Sequence, residues 1–274
     1  MKLFICPNTL TRQQRETALY CIDHFTQKCG AACVMFPETV VLLGADPALA
    51  GRPEDCDYIV AIGGDGAVLR AAQVAVAAGR PLFGINGGRL GYLAAIELSE
   101  VDSLTAEALR LLRPSPRCLL DVTLDGRRFI ALNDVTFSKS NPARTIEVTV
   151  SVNKNPLISW RCDGAILSTP TGSTAYSMSA GGPIVMPEVG GIIITPICPH
   201  SLIARPIVVP HRACITVSVG GDDGAVIAAD GSLLGSTEGS ITVQRHPSDL
   251  MLLNKGETSF FDTLFKISSG GNEP

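Results

Sequence analysis

A glycine turn set between two apolar segments constrains this chain more than any other feature. Tyr58–Ile62 is a short apolar run, Gly63-Gly64-Asp65-Gly66 follows it, and residues 66–78 are rich in Ala, Val and Leu. Gly79 and Pro81 stop that helical stretch, and residues 82–85 read as the next strand. Strand, turn, helix and strand in this order are the unit of a parallel sheet with crossover helices. The helix is apolar on nearly every side, which predicts that it is buried. A strand at residues 2–6, a helix at 12–29 stopped by Gly30, and a strand at 34–36 extend the same alternation towards the start.

The turn has the chemistry of an anion site. Gly63, Gly64 and Gly66 let the backbone bend sharply and come close to a ligand. The helix that follows offers unpaired N–H groups and a partial positive charge at its N-terminus. The spacing is neither G-x-G-x-x-G nor G-x-x-x-x-G-K-[ST], so an ordinary dinucleotide fold fits poorly and a P-loop is excluded. Asp65 is unfavourable beside phosphate unless it has a task. It can accept a proton from an attacking hydroxyl, help to hold Mg²⁺ shared with the phosphates, or simply cap the helix. Arg70, about one turn along, is either a phosphate ligand or a solvated charge. A second glycine loop, Asn86-Gly87-Gly88-Arg89-Leu90-Gly91-Tyr92, leaves the next strand of the same sheet. Two such loops at neighbouring carboxyl ends make the crevice where open α/β sheets bind ligands. In it Arg89 can pair with phosphate, and Tyr92 can stack on a base or belong to the core.

The pattern changes after a helix expected at residues 104–112. Pro114 and Pro116 break the chain near residues 113–118, and strands dominate beyond them. Segments 119–124 and 127–131 flank Asp125-Gly126, a hairpin signal. Ile146, Val148, Val150 and Val152 alternate with polar residues, as in a strand with one buried face. Segments 213–219, 225–229 and 240–244 are similar. The fold class is therefore an α/β N-terminal domain with a Rossmann-like parallel sheet, followed by a mostly-β domain.

The densest stretch of small polar residues is 163–182, where Asp163 leads into Ser168-Thr169-Pro170-Thr171-Gly172-Ser173-Thr174-Ala175-Tyr176-Ser177-Met178-Ser179. Pro170 stiffens the turn, and Ser173 or Thr174 is expected to cap a helix starting at Ala175. Hydroxyls and exposed N–H groups suit a sugar or phosphate, although ordinary turns favour the same residues. Asn133-Asp134 precedes a strand at 135–138, and its amide suits a base edge or a ribose diol. Neither His200 nor His211 pairs with a plausible nucleophile, and no His/Asp/Glu cluster has structural-metal spacing.

The remaining composition excludes rather than selects. A net charge of -4 gives no reason to expect nucleic acid or an anionic membrane as partner. No apolar run is long enough to span a bilayer, and residues 1–7 read as a first strand rather than a secretory signal, so a cytoplasmic protein is expected. The nine cysteines include no C-x-x-C pair and are expected to be reduced and apolar in role. Only residues 268–274 resemble a disordered tail.

Taken in order, these stretches resemble the NAD kinase family over roughly residues 58–245. Gly63-Gly64-Asp65-Gly66 is similar to its signature turn, and residues 86–92 to its second glycine loop. Asn133-Asp134 stands where the family usually has Asn-Glu, and residues 163–182 and 195–206 are similar to its longest shared blocks. The resemblance implies a 1–113 α/β domain completed by about residues 255–274, and a 114–254 β-rich NAD-binding domain. It implies that the adenosine ribose 2′-hydroxyl of NAD attacks the γ-phosphoryl group of ATP, or polyphosphate, with Mg²⁺. Asp65 is then the proton acceptor, or the orienter of nucleophile and metal. Gly63, Gly64, Gly66, Arg70, Asn86 and Tyr92 would serve the nucleotide-binding loops. Asn133, Asp134, Asp163, Thr174, Ala175, Tyr176, Ser177 and Ser179 would hold NAD, with Arg144 and Arg161 nearby. Homodimers or homotetramers are implied as well. Two departures stand out: Asp134 is one methylene shorter than Glu, and Ala67 replaces a common Thr. A lipid or sugar kinase sharing the turn, and a non-catalytic NAD sensor, are the competing readings.

Overall fold

The computed structural model describes residues 1–88, 91–220, 224–256 and 264–265. Arg89 and Leu90, the 268–274 segment and most of the expected returning stretch 255–274 lie outside them. In chain order the elements are β1 (Lys2–Pro7), α1 (Arg12–Gln27), β2 (Ala32–Val34), α2 (Pro37–Leu43), β3 (Tyr58–Ile62), α3 (Asp65–Ala78), β4 (Leu82–Asn86), β5 (Ile96–Glu97), α4 (Ala106–Arg110) and β6 (Arg113–Arg117). Then come β7 (Leu120–Leu124), β8 (Arg127–Ala131), β9 (Asp134–Lys139), β10 (Ile146–Val152), β11 (Asn155–Cys162), β12 (Gly164–Ser168), α5 (Tyr176–Ser179) and β13 (Gly191–Ile197). The chain closes with β14 (Ile207–Pro210), β15 (Ile215–Gly220), β16 (Ala225–Ala229), β17 (Ser232–Thr237), β18 (Ser240–Arg245) and β19 (Leu250–Asn254). Two compact units result, Arg117–Asp249 and the segments on either side of it.

The flanking unit is an α/β layer. Its sheet runs β2-β1-β3-β4-β19-β6, with β5 paired to β4. β1 to β4 are parallel to one another, and residues 59–62 and 82–86 are buried throughout, as continuous apolar parallel strands should be. Strand order reverses between β1 and β3. The loops after those strands, at Asn8 and at Gly63, therefore flank the position where open α/β sheets bind ligands. Asn8 N–H donates to Ile62 O at 2.8 Å, which fixes the two loops side by side.

α3 departs from its sequence pattern. Ala67, Val68, Ala71, Ala72 and Ala75 are buried on one face, whereas Gln73 and Ala77 are exposed, so the helix is half-buried against the sheet. Small apolar side chains tolerate that exposure because Ala carries little hydrophobic area. Gly79 ends the helix in the left-handed conformation, its N–H reaching Ala75 O and Val76 O. The 104–112 helix shortens to α4, capped by the Thr105 hydroxyl. Residues 113–117, read as a break, form β6 instead. Pro114 and Pro116 are tolerated there because β6 ends the sheet order, and an edge strand leaves some N–H positions unused. The strand expected at 34–36 ends at Val34, because Phe36 caps α2 and Pro37 opens it.

Arg117–Asp249 is a β unit of two antiparallel sheets, β11-β10-β15-β18-β7-β8 and β14-β13-β12-β9-β16-β17. Inward residues of both, among them Val122, Phe137, Val148, Leu167, Val217 and Ile227, are buried in one shared core. The expected hairpin at Asp125-Gly126 is present, with both turn residues at positive φ.

Candidate active site

The glycine turn is built by close approach. Gly63 has φ +147°, and a Cβ there would lie 2.9 Å from Ala67 Cβ and 3.1 Å from Asn8 Cβ. Only a residue without a side chain fits between α3 and the loop after β1. Gly63 N–H donates to Ile85 O at 2.9 Å, and Gly87 N–H to Gly63 O at 3.4 Å. The two glycine loops thus continue the β3–β4 ladder beyond the sheet.

Asp65 does not cap its own helix. Gly64 is the cap residue and contributes no side chain, whereas Asp65 is the first residue of α3. Its carboxylate instead accepts the N–H groups of Tyr92, at 2.9 Å to Oδ2, and Leu93, at 3.1 Å to Oδ1. A Cβ at Gly91 would collide with that carboxylate. Both oxygens are fixed by charge-assisted bonds, and each keeps a further lone pair. Asp65 is only half-buried, and Arg70 and Gly66 are exposed one turn apart on α3. Asn86 turns inward: it is buried, its amide donates to the Glu97 carboxylate at 3.0 and 3.2 Å, and Gly88 N–H donates to its Oδ1. Asn86 therefore shapes the second loop. Tyr92 is half-buried, and burial pushes its phenol pKa up, with the Asp65 charge adding to the effect. Arg89 lies outside the described residues.

In the β unit the 169–179 stretch differs from its expectation. Residues 171–174 form a 3₁₀ turn, and α5 starts at Tyr176 with no side-chain cap. Ser173 and Thr174 do not cap it because their hydroxyls are engaged elsewhere. Ser173 bonds both N–H and C=O of Val185, and Thr174 donates to Thr171 O. Thr174 and Ser177 are buried, Ala175 is half-buried, and Tyr176 and Ser179 are exposed. Ser177 shares a 2.9 Å hydroxyl bond with Thr195. Asp163 pairs with Lys139 at 2.8 Å. Arg161 is exposed and donates to Thr145 Oγ1 at 3.0 Å, next to exposed Arg144.

Asn133-Asp134 is held most completely. Every backbone polar group of residues 132–134 has a partner. The Asp230 carboxylate accepts the N–H groups of Leu132, Asn133 and Asp134 at 2.8, 2.7 and 3.2 Å. Asp230 N–H returns a bond to Asp134 O at 3.0 Å. Thr169 donates its hydroxyl to Leu132 O at 2.6 Å and its N–H to Asn133 O at 2.9 Å. Burial and the neighbouring Asp230 carboxylate push Asp134 up to about 7. Burial raises Asp230 as well, while its three N–H donors act in the opposite direction. Asp230 was not legible as a site residue: Asp230-Gly231 reads as a turn between two strands. Asn8 was missed too, although it follows the carboxyl end of β1. Among the described residues, no group of three or more His, Cys, Asp or Glu could hold a metal ion. None of their helices is long and apolar enough to cross a membrane.

Residues 33–110 match the ATP-NAD kinase N-terminal domain, and residues 132–259 match the ATP-NAD kinase C-terminal domain. The NAD kinase of Symbiobacterium thermophilum is 39% identical over 261 residues, covering 88% of this chain and 89% of that protein. The NAD kinase of Aquifex aeolicus is 43% identical over 167 residues, covering 59% of this chain and 61% of that one. An NAD kinase from Archaeoglobus fulgidus, solved in complex with ATP, superposes with a TM-score of 0.77 at 25% identity, covering 98% and 99% of the two chains. Yeast NADH kinase complexed with NADH shares the fold at a TM-score of 0.81 and 24% identity, covering 100% of this chain and 89% of the other. These matches decide against a lipid or sugar kinase and against a non-catalytic sensor: the chain belongs to the NAD kinase family, enzymes that phosphorylate NAD to NADP.

Proposed function

We propose that Asp65 accepts the proton of the adenosine ribose 2′-hydroxyl of NAD as that oxygen attacks the γ-phosphoryl group of ATP. The new bond joins the 2′-oxygen to the γ-phosphorus, the bond to the bridging oxygen breaks, and ADP leaves with its electron pair. The observation that carries this reading is the tethering of Asp65 by Tyr92 and Leu93 N–H at 2.9 and 3.1 Å. A carboxylate so fixed is preorganised, and phosphoryl transfer depends on positioning and charge neutralisation more than on covalent work. The turn at Gly63, Gly64 and Gly66, with the α3 N-terminus behind it, suits the ATP phosphates, and Arg70 and Tyr92 border it. Asn86 shapes the second loop rather than facing a ligand.

Mg²⁺ fits a site of this kind, because it is usually held by one or two carboxylates with waters and substrate phosphates rather than by a protein cage. Asp65 is the carboxylate in place to share it, and the bound ion would neutralise charge on the transferring group. Asn133 and Asp134 take the ribose or base edges of NAD, with Asp163, Ala175, Tyr176 and Ser179. Thr174 and Ser177, both buried, support that surface from within, and Arg144 and Arg161 are further candidates for contact with NAD. The β unit is thus the NAD-binding domain, and β19 returns to the α/β sheet, where it pairs with β4. ATP is the donor, with polyphosphate as the alternative. The assembly proposed for the chain is a homodimer or homotetramer. A cytoplasmic location agrees with the reduced cysteines that this reading requires.

The test is NADP formation from NAD with Mg²⁺ and either ATP or polyphosphate, and with Asp65→Asn alongside. Loss of most of the activity in the variant is expected. An Asp65→Asn enzyme as active as its parent sinks the assignment.

A further inference from the structure

We infer that Asp230 is a positioning residue for NAD, holding Asn133 and Asp134 in binding geometry by gathering the three successive N–H groups of residues 132–134. The inference rests on the reading that Asn133 and Asp134 hold NAD.

The geometry is unusual in three ways. One carboxylate accepts from three consecutive residues that lie 96 to 98 positions away in sequence. Three parallel N–H groups in a row form an anion-binding concavity, which here is filled by a side chain. Second, Asp230 itself sits at φ +48°, a left-handed conformation that Asp and Asn tolerate and most residues do not. Third, the opposite side of the segment is clamped as well. Thr169 takes the Leu132 and Asn133 carbonyls, Gly172 N–H donates to Thr169 Oγ1 at 3.1 Å, and a Cβ at Gly172 would collide with Asn133 O. No backbone polar group of residues 132–134 depends on water for a partner. The side chains of Asn133 and Asp134 therefore start from one fixed backbone, and NAD need not order it on binding. That saving in ordering cost appears as affinity.

Asp230 acts through the segment and not on the reacting atoms. Three of its lone pairs are taken by the N–H groups of residues 132–134, so the effect argued for it is on NAD binding. Asp230→Asn is the informative change: it keeps the size and tolerates φ +48°, but it places an NH₂ group against the N–H donors. Bonds to a charged acceptor are strong enough that losing them should raise KM for NAD about tenfold or more. KM for ATP should stay within about twofold, because the ATP loops belong to the other unit. A role in folding alone would lower the melting temperature and the active fraction, and so kcat, with both KM values unmoved.

The experiment measures kcat, KM for NAD, KM for ATP and melting temperature for Asp230→Asn, Thr169→Val, Asn133→Ala and the Asp230→Asn/Asn133→Ala double variant. Selective rises in KM for NAD in both clamp variants, less than additive with Asn133→Ala, are expected. Thr169→Val removes the opposing hydroxyl and carries the same test if Asp230→Asn does not fold. Unchanged KM for NAD in the folded clamp variants, while Asn133→Ala raises it, overturns the positioning role alone. Unchanged KM for NAD in Asn133→Ala overturns the reading that the pair holds NAD, and this inference with it.

Discussion

Asp65 in the α/β unit and Asp230 in the β unit solve a similar local problem and end with different chemistry. Each carboxylate captures backbone N–H groups of a distant loop: Asp65 those of Tyr92 and Leu93, Asp230 those of Leu132, Asn133 and Asp134. Asp65 holds one donor on each oxygen and stands half-buried at the start of a helix. Asp230 holds three donors, beside a second carboxyl, Asp134, that burial and the Asp230 charge push up to about 7. The more lone pairs its neighbours occupy, the less a carboxylate has left to take a proton: Asp65 keeps one free on each oxygen, whereas Asp230 keeps one on Oδ2 alone. The number of donors, more than the residue type, separates a reacting group from a positioning one.

The largest effect that tests this contrast is Asp65→Asn. Removing a positioned proton acceptor should cost about 10²- to 10⁴-fold in kcat, measured as NADP formed at saturating NAD and ATP. Next comes Gly91→Ala, whose new Cβ meets the Asp65 carboxylate. Displacing that group should reduce kcat by tenfold or more on the same order-of-magnitude scale, roughly what a 1 Å misplacement costs. Rescue of Gly91→Ala to parental rates at higher NAD would contradict a kcat effect. The corresponding change in the β unit, Gly172→Ala, presses on Asn133 O instead. It should destabilise the fold by about 1–3 kcal/mol, as overpacking does, and raise KM for NAD; denaturant unfolding and initial rates check both.

A smaller effect concerns pH. Asp134 has an unfolded-state value near 3.8 and is pushed up to about 7 in the fold. The folded state therefore binds more protons between these values, and stability from this group is lost as pH rises through about 7. The slope should not exceed about 1.4 kcal/mol per pH unit, and Asp134→Asn should flatten it. Unfolding midpoints from pH 4 to 8 that run parallel in both proteins would remove the buried proton from the account. The smallest effect is Arg70→Ala, which should shift stability by less than about 0.5 kcal/mol because the side chain is exposed. Any change in KM for ATP then reports phosphate contact directly.

The same contrast explains what the sequence made visible. Asp65 was legible because its surroundings are local: strand β3, the glycines and α3 are contiguous, and parallel packing demands their apolar pattern. Its partners Tyr92 and Leu93 were not, since nothing in a one-dimensional pattern announces a side chain bonding a loop 27 residues on. Asp230 was invisible for the stronger form of that reason. Its donors lie nearly a hundred positions away, brought near by the pairing of β16 with β9. The alternating pattern of the β unit matches its strands, but the hydroxyl-rich residues 168–177 are largely internal. Small hydroxyl side chains bury readily once each bonds a nearby carbonyl, as Ser168, Thr169 and Ser173 do. The prolines of β6 misled for a further reason: whether a strand lies at an edge depends on sheet order, which sequence does not display.

The most direct measurement places Asp65→Asn and Asp230→Asn in one steady-state assay and compares kcat with KM for NAD. Asp65→Asn is expected to lower kcat by at least about a hundredfold with KM for NAD nearly unchanged, and Asp230→Asn to raise KM for NAD with a much smaller change in kcat. Both variants moving along the same kinetic axis would contradict the division of labour between the two carboxylates.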